Sequence, residues 1–271
     1  MSRTTACIAT IVLLAAAPVL ADPGTAPPSA TAARQPATAD VRTAYDRTDA
    51  LSRQIFWTDQ AEVDPADPVA GVKAAQALRE LGRFDQAAEM AGKVLMVQPA
   101  NVEAMLELGR AHIARGQAFY GIAALEGARA ARPDDWRAWS LLGTAYEQVR
   151  RPDDARAAWS QALTLSPENP DVLSNMAVSS MARGDIAGAE PLLRRAAVQP
   201  GASLKVRLNL AMVLGLTGQM YEAEQILRRD LPPDAADRNL TWLRARTGTA
   251  AGTATGAGAE QARTWNSLQG G

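Results

Sequence analysis

The sequence predicts an all-α fold, a right-handed superhelical solenoid of helix–turn–helix units, and three observations predict it. Apolar residues recur with helical spacing: Trp139, Leu142, Gly143 and Tyr146 fall at i, i+3, i+4 and i+7, and Ala155, Trp159 and Ala162 follow after a break. The same register returns every 34 residues, in five units beginning at Pro68, Val102, Trp136, Pro170 and Leu204 with no insertion. Two places are small in every unit: Ala75, Gly109, Gly143, Ala177 and Ala211 at the eighth, and Ala87, Gly121, Ala155, Ala189 and Ala223 at the twentieth. Close approach explains them, because anything larger than a methyl would push the paired helices apart.

The break between the two helices carries Gly82, Gly116, Gly184 and Gly218, which suit a left-handed residue just past a helix end. The third unit has Arg150 there, at a cost of about 1 kcal/mol. Pro99, Pro133 and Pro167 close their units, and Pro200 comes one place early. This order of large, small and proline positions resembles the tetratricopeptide repeat (TPR), whose 34-residue period it shares. The resemblance implies one open stack with a continuous seam for its core.

Taken in order, residues 1–21 read as a signal peptide: Arg3 gives a positive start, Ile8 to Ala17 an apolar run, and Val19-Leu20-Ala21 a small-residue cleavage site. Residues 22–40 are an Ala/Pro/Thr linker with too little apolar surface to order itself. Residues 41–67 are expected to give one capping helix, the second helix of a degenerate unit, because Trp57 and Pro65 are in phase with Trp159 and Pro167. The units span 68–101, 102–135, 136–169, 170–203 and 204–233, the last stopped by Pro232-Pro233. Asp230 stands where the others have Val94, Ala128, Ala162 and Ala196, so little should pack on it from outside. Residues 234–246 are expected to form a C-terminal capping helix through Leu240, Trp242 and Leu243, and 247–271 a low-complexity tail.

Composition narrows the function. Of 271 residues, 28 are Lys or Arg and 29 Asp or Glu, and with no basic run this argues against a nucleic-acid partner. The single cysteine, Cys7, lies within the leader and ahead of its apolar run, so neither a disulfide nor lipidation at Cys7 is expected in the mature chain. The single histidine, His112, is better read as a ring filling the aromatic slot that Tyr146 fills one unit on. The pairs Asp134-Asp135 and Asp153-Asp154 open helices, where carboxylates cap free amides. No catalytic constellation, metal site, cofactor or small-molecule substrate is indicated.

Binding is indicated. In such a stack the first helix of each unit lines a concave groove. Its second, fifth, sixth, ninth and twelfth places supply Arg110, Arg137, Ser140, Thr144, Asn175 and Asn209, with Val178, Met181 and Met212 on the floor. Asn175 and Asn209 share the sixth place, and asparagine is a poor helix former. Either the amides hold an extended peptide or they bond the neighbouring helix, and the sequence leaves both open.

Two runs carry a narrower resemblance: Arg132 to Trp139 with Leu142-Gly143, and Lys205 to Asp234 with the Asn239–Arg244 run (NLTWLR) that follows. These resemble the TadD family, the TPR proteins of tight-adherence (Tad/Flp) pilus assembly, over about residues 65 to 246. The resemblance implies a non-enzymatic scaffold in the periplasm of a Gram-negative bacterium, outer-membrane associated in many members. It supports Flp pilus assembly or secretion by holding a segment of the outer-membrane secretin or of another Tad component, with only indirect membrane contact. This chain departs from the family in lacking a lipidation cysteine after its apolar run, which favours a soluble periplasmic form. A general periplasmic TPR adaptor, for example in polysaccharide export, is the alternative reading.

Overall fold

The computed structural model describes residues 34–249, and the leader and most of the linker and tail lie outside them. Among the described residues, 36–249 form one contiguous stack. Among the described residues every regular element is an α-helix. Two precede the first full unit, α1 (Ala39–Tyr45) and α2 (Ala50–Val63). Five pairs follow: α3 (Pro68–Glu80) with α4 (Phe84–Val97), α5 (Val102–Ala114) with α6 (Phe119–Ala131), α7 (Trp136–Gln148) with α8 (Pro152–Leu165), α9 (Pro170–Ala182) with α10 (Ile186–Ala197), and α11 (Leu204–Leu216) with α12 (Met220–Asp230). The last helix is α13 (Pro233–Thr249).

Each first helix starts where its unit starts, and the residue before it supplies the cap. Asp67, Asn101, Asp135, Asn169 and Ser203 accept backbone N–H bonds from the first turns of α3, α5, α7, α9 and α11. Each such cap is worth about 1 kcal/mol. The turn glycines Gly82, Gly116, Gly184 and Gly218 all have positive φ, and Arg150 takes the same left-handed conformation at φ 60°. The small places behave as close-approach points: a Cβ on Gly143 would lie 2.4 Å from Nε1 of Trp159.

The segment expected to form a single capping helix is two helices. The bounds of α2 match those of α8 shifted by three periods, and α1 falls where a shortened first helix would fall, so a whole degenerate unit precedes the first full one. Helix α1 begins at Ala39, inside the expected linker. At the two small places this unit has Val41 and Arg53, and Val41 stays 42% exposed where its counterparts are buried. Lacking close approach, α1 is held by edge contacts: Tyr45 stacks on Phe56 at 3.9 Å, Arg42 pairs with Asp67 at 2.6 Å, and Lys73 pairs with Asp46. Trp57 is buried as its phase requires, with Arg42 and Lys73 over its ring at 5.6 and 5.0 Å.

At the other end, α13 is longer than the capping helix expected from the sequence, beginning at Pro233 and running three residues into the expected tail. Asp230 is not left bare either. It is 9% exposed and takes Arg207 at 2.7 Å and Arg229 at 2.9 Å, so its charge is neutralised and covered by arginine stems.

First helices touch the first helices of neighbouring units, whereas second helices stand farther apart, so the stack bends around the first-helix layer. That layer is the concave face. The buried core runs as two main stretches, one from Val102 to Val172 and one from Ala177 to Leu243. The junction of α8 with α9 is the sparsest between successive units.

Candidate functional site: the concave face

The open part of the concave face lies over the first units. Pro68, Val69, Val72, Lys73 and Gln76 of α3, with Asn101 and Glu103 at the head of α5, line a cleft of about 280 Å³. Val69 is exposed, and Val72 and Gln76 are half-buried, leaving an apolar wall beside a carboxamide able to bond a peptide backbone.

Past this cleft the charged side chains bind one another. Glu107 on α5 is only 2% exposed and sits between Arg79 of α3, at 2.9 Å, and Arg110 one turn on. Arg137 of α7 bridges two acids: it donates to both carboxylate oxygens of Glu103, at 3.0 and 2.8 Å, and to Asp135 at 2.6 Å. The hydrogen bonds from Arg137 hold the carboxyls of Glu103 and Asp135 below the usual carboxylate range, and in return its own proton is held more tightly than usual. Arg132 adds a second cation against Glu103 at 2.7 Å.

Farther along, the polar groups tie neighbouring first helices together. Asn175 donates to Thr144 at 3.5 Å, Ser179 to Glu147 at 2.9 Å, and Asn209 to Ser174 at 3.3 Å. These separations are close to one repeat, which shows what the sixth-place asparagine does: it bonds the adjacent first helix.

The structure therefore redraws the expected groove. Asn209, Met181, Met212 and Ser140 are buried, at 1, 3, 2 and 7% exposure, and do not face an open groove. In the fifth unit α13 packs against α11 as the first helix of a following unit would. Gly215, at the twelfth place, has Leu243 where a Cβ would point, 2.7 Å from its Cδ1. Arg110 and Arg137 line the face but are held in ion pairs, while Thr144, Asn175 and Val178 are half-buried on it. The missed residues, Val69, Val72 and Gln76, occupy the second, fifth and ninth places of the first unit. Carrying the register back one unit beyond the middle of the array finds them. His112 is half-buried, its ring 6.0 Å from that of Tyr120, and burial pushes its pKa down from the ordinary value.

An apolar cleft beside a network of paired charges, on a curved helical stack, fits a protein-binding scaffold. Residues 78–143 match one family model of the tetratricopeptide repeat, and residues 121–170 and 140–205 match another. The array has the fold of stacked tetratricopeptide repeats. Similar solved structures agree on the fold. MamA (residues 41 to the end) of Desulfovibrio magneticus RS-1 is 23% identical, covering 58% of this chain and 90% of that one, with a TM-score of 0.51. A thermophilic TPR protein of Thermus thermophilus is 21% identical over 61% of this chain and 90% of its own, TM-score 0.56. PilF of Pseudomonas aeruginosa is 17% identical over 74% and 97%, TM-score 0.57.

Proposed function

We propose that this chain is a non-enzymatic TPR scaffold of the bacterial cell envelope that supports Flp (Tad) pilus assembly or secretion. It does so by holding an extended segment of the secretin or of another machine component along its concave face. The observation that carries binding is the cleft of Pro68, Val69, Val72 and Gln76, an apolar seat with a free carboxamide beside it. What ties the scaffold to the Tad machine is the resemblance of Arg132–Gly143 and Lys205–Asp234 to the TadD family. The second run forms α11, α12 and the turn between them, where α13 docks. An export leader in residues 1–21, outside the described residues, supports a periplasmic location, and no described helix is long and apolar enough to cross a membrane.

Surface pilin sheared from cells and blotted, with and without this gene, tests the reading. Loss of sheared pilin, restored by the intact gene, is the expected result. Unchanged pilin in a strain that makes Flp pili overturns the pilus assignment and leaves a periplasmic TPR adaptor for another envelope process.

A further inference from the structure

The eleventh place of each unit is a large side chain that fills the seam, with Leu78, His112, Tyr146 and Leu214 in four units. In the fourth unit it is Ser180, and the preceding place, alanine or valine in the other four units, is Ser179. These two serines sit at the sparse junction of α8 and α9, where the structure has an open notch of about 280 Å³ between Trp159 and Met176. A sequence that gives up packing at one point of an otherwise regular array does so where something else is required of that point.

The notch has a defined chemistry. Arg183 on its wall donates to the hydroxyls of Ser179 and Ser180, and Ser179 in turn donates to the Glu147 carboxylate at 2.9 Å; no described carboxylate pairs with Arg183 directly. Two periods earlier the equivalent arginine, Arg115, is neutralised by Asp85. Here the equivalent acid, Asp153, turns to Arg156 at 3.5 Å and is 92% exposed, a weak pair. Asp185, also on the wall, accepts the Gly188 backbone N–H at 2.9 Å as a helix cap. The notch has room for one side chain.

We infer that this notch between the third and fourth units receives a glutamate side chain of a protein partner. Its carboxylate pairs with Arg183, its approach is favoured by Arg156, and its methylenes lie against Trp159 and Met176. Bidentate pairing of guanidinium with carboxylate gives the contact direction as well as charge. The inference rests on the protein-scaffold reading but not on the pilus, and its test reads the protein alone, whatever the pilin experiment shows.

The test is a side-chain and backbone NMR titration of the mature chain with the acetylated, amidated tripeptide Gly-Glu-Gly, and with Gly-Gln-Gly as its neutral control. The Glu peptide is expected to move the Arg183 Nε–H and Ser180 amide signals saturably, with at least tenfold weaker response to the Gln peptide. Arg183→Gln, at an exposed side chain, should abolish the response with the fold intact. Ser180→Leu should abolish it too and raise the Tm by about 2–4 °C, because it fills the seam as Leu78 and Leu214 do. No saturable shift, equal response to both peptides, or an unchanged response in Arg183→Gln overturns the inference.

Discussion

Replacing Gly143 by alanine adds one methyl at the tightest point of the third unit. The new Cβ would stand 2.4 Å from Nε1 and 2.5 Å from Cδ1 of Trp159, so the indole must move. That ring is 3% exposed and its N–H donates to the Ser140 carbonyl at 3.1 Å, so it cannot shift without straining the seam and stretching this bond. Overpacking costs about 1–3 kcal/mol, and a weakened hydrogen bond adds about 1 kcal/mol. Against them stands the gain of about 1 kcal/mol for alanine over glycine inside a helix. The net expectation is a loss of about 1–3 kcal/mol, or several degrees in Tm. Gly92→Ala is the matched control: Gly92 lies within α4 and a Cβ there meets nothing within 4 Å, so the propensity gain stands alone and the variant should be about 1 kcal/mol more stable. Urea titrations followed by circular dichroism measure both. If Gly143→Ala gains stability as Gly92→Ala does, Trp159 does not fill the space above Gly143 and the pairing of α7 with α8 is misread.

Three further predictions follow from single residues. Arg150→Gly removes the one left-handed non-glycine among the described residues and should raise stability by about 1 kcal/mol in a thermal melt; a neutral or lower Tm would contradict the strain. Glu107→Gln leaves Arg79 and Arg110 without their shared carboxylate and should cost about 1–3 kcal/mol, less than a fully buried ion would because both guanidiniums are about a quarter exposed. In acid, Glu103 and Asp135 have folded pKa values below their unfolded ones, so the stability they lend is complete above the unfolded carboxylate range and is lost as pH falls through the folded values. Arg137→Gln should therefore flatten the decline of Tm below about pH 4, and an unaltered acid limb would remove this cluster from the account.

The repeat was legible in the sequence because its determinants are local and each has one physical meaning. A glycine just past a helix end signals a left-handed turn, and a small residue at two fixed places signals close approach. The concave face was less legible, because a polar residue at a groove place has two outlets that look alike in sequence. Asn175 and Asn209 occupy the same place, yet the first is half-buried against Thr144 and the second is fully buried against Ser174. The difference lies at the end of the array, where α13 takes the place of a following first helix and its Leu243 meets Gly215 of α11 at the offset by which Glu107 meets Arg79. The degenerate first unit was half-legible for a similar reason. Trp57 kept its phase, while Val41 and Arg53 erased the pattern by which α1 would be recognised.

Those departures are more informative than the regular places. Where Val41 and Arg53 replace the small pair, the helix pair opens, and α1 is held through charged and stacked side chains instead of an apolar seam. Where Ser180 replaces a large residue, the seam opens between the third and fourth units and exposes an arginine bound only to hydroxyls. Where Gly215 leaves room, Leu243 of α13 packs directly on the α11 backbone. On the proposed binding role, partner contacts are expected both at the cleft bounded by α3 and the head of α5, which keeps the register, and at the α8–α9 notch, where the register breaks.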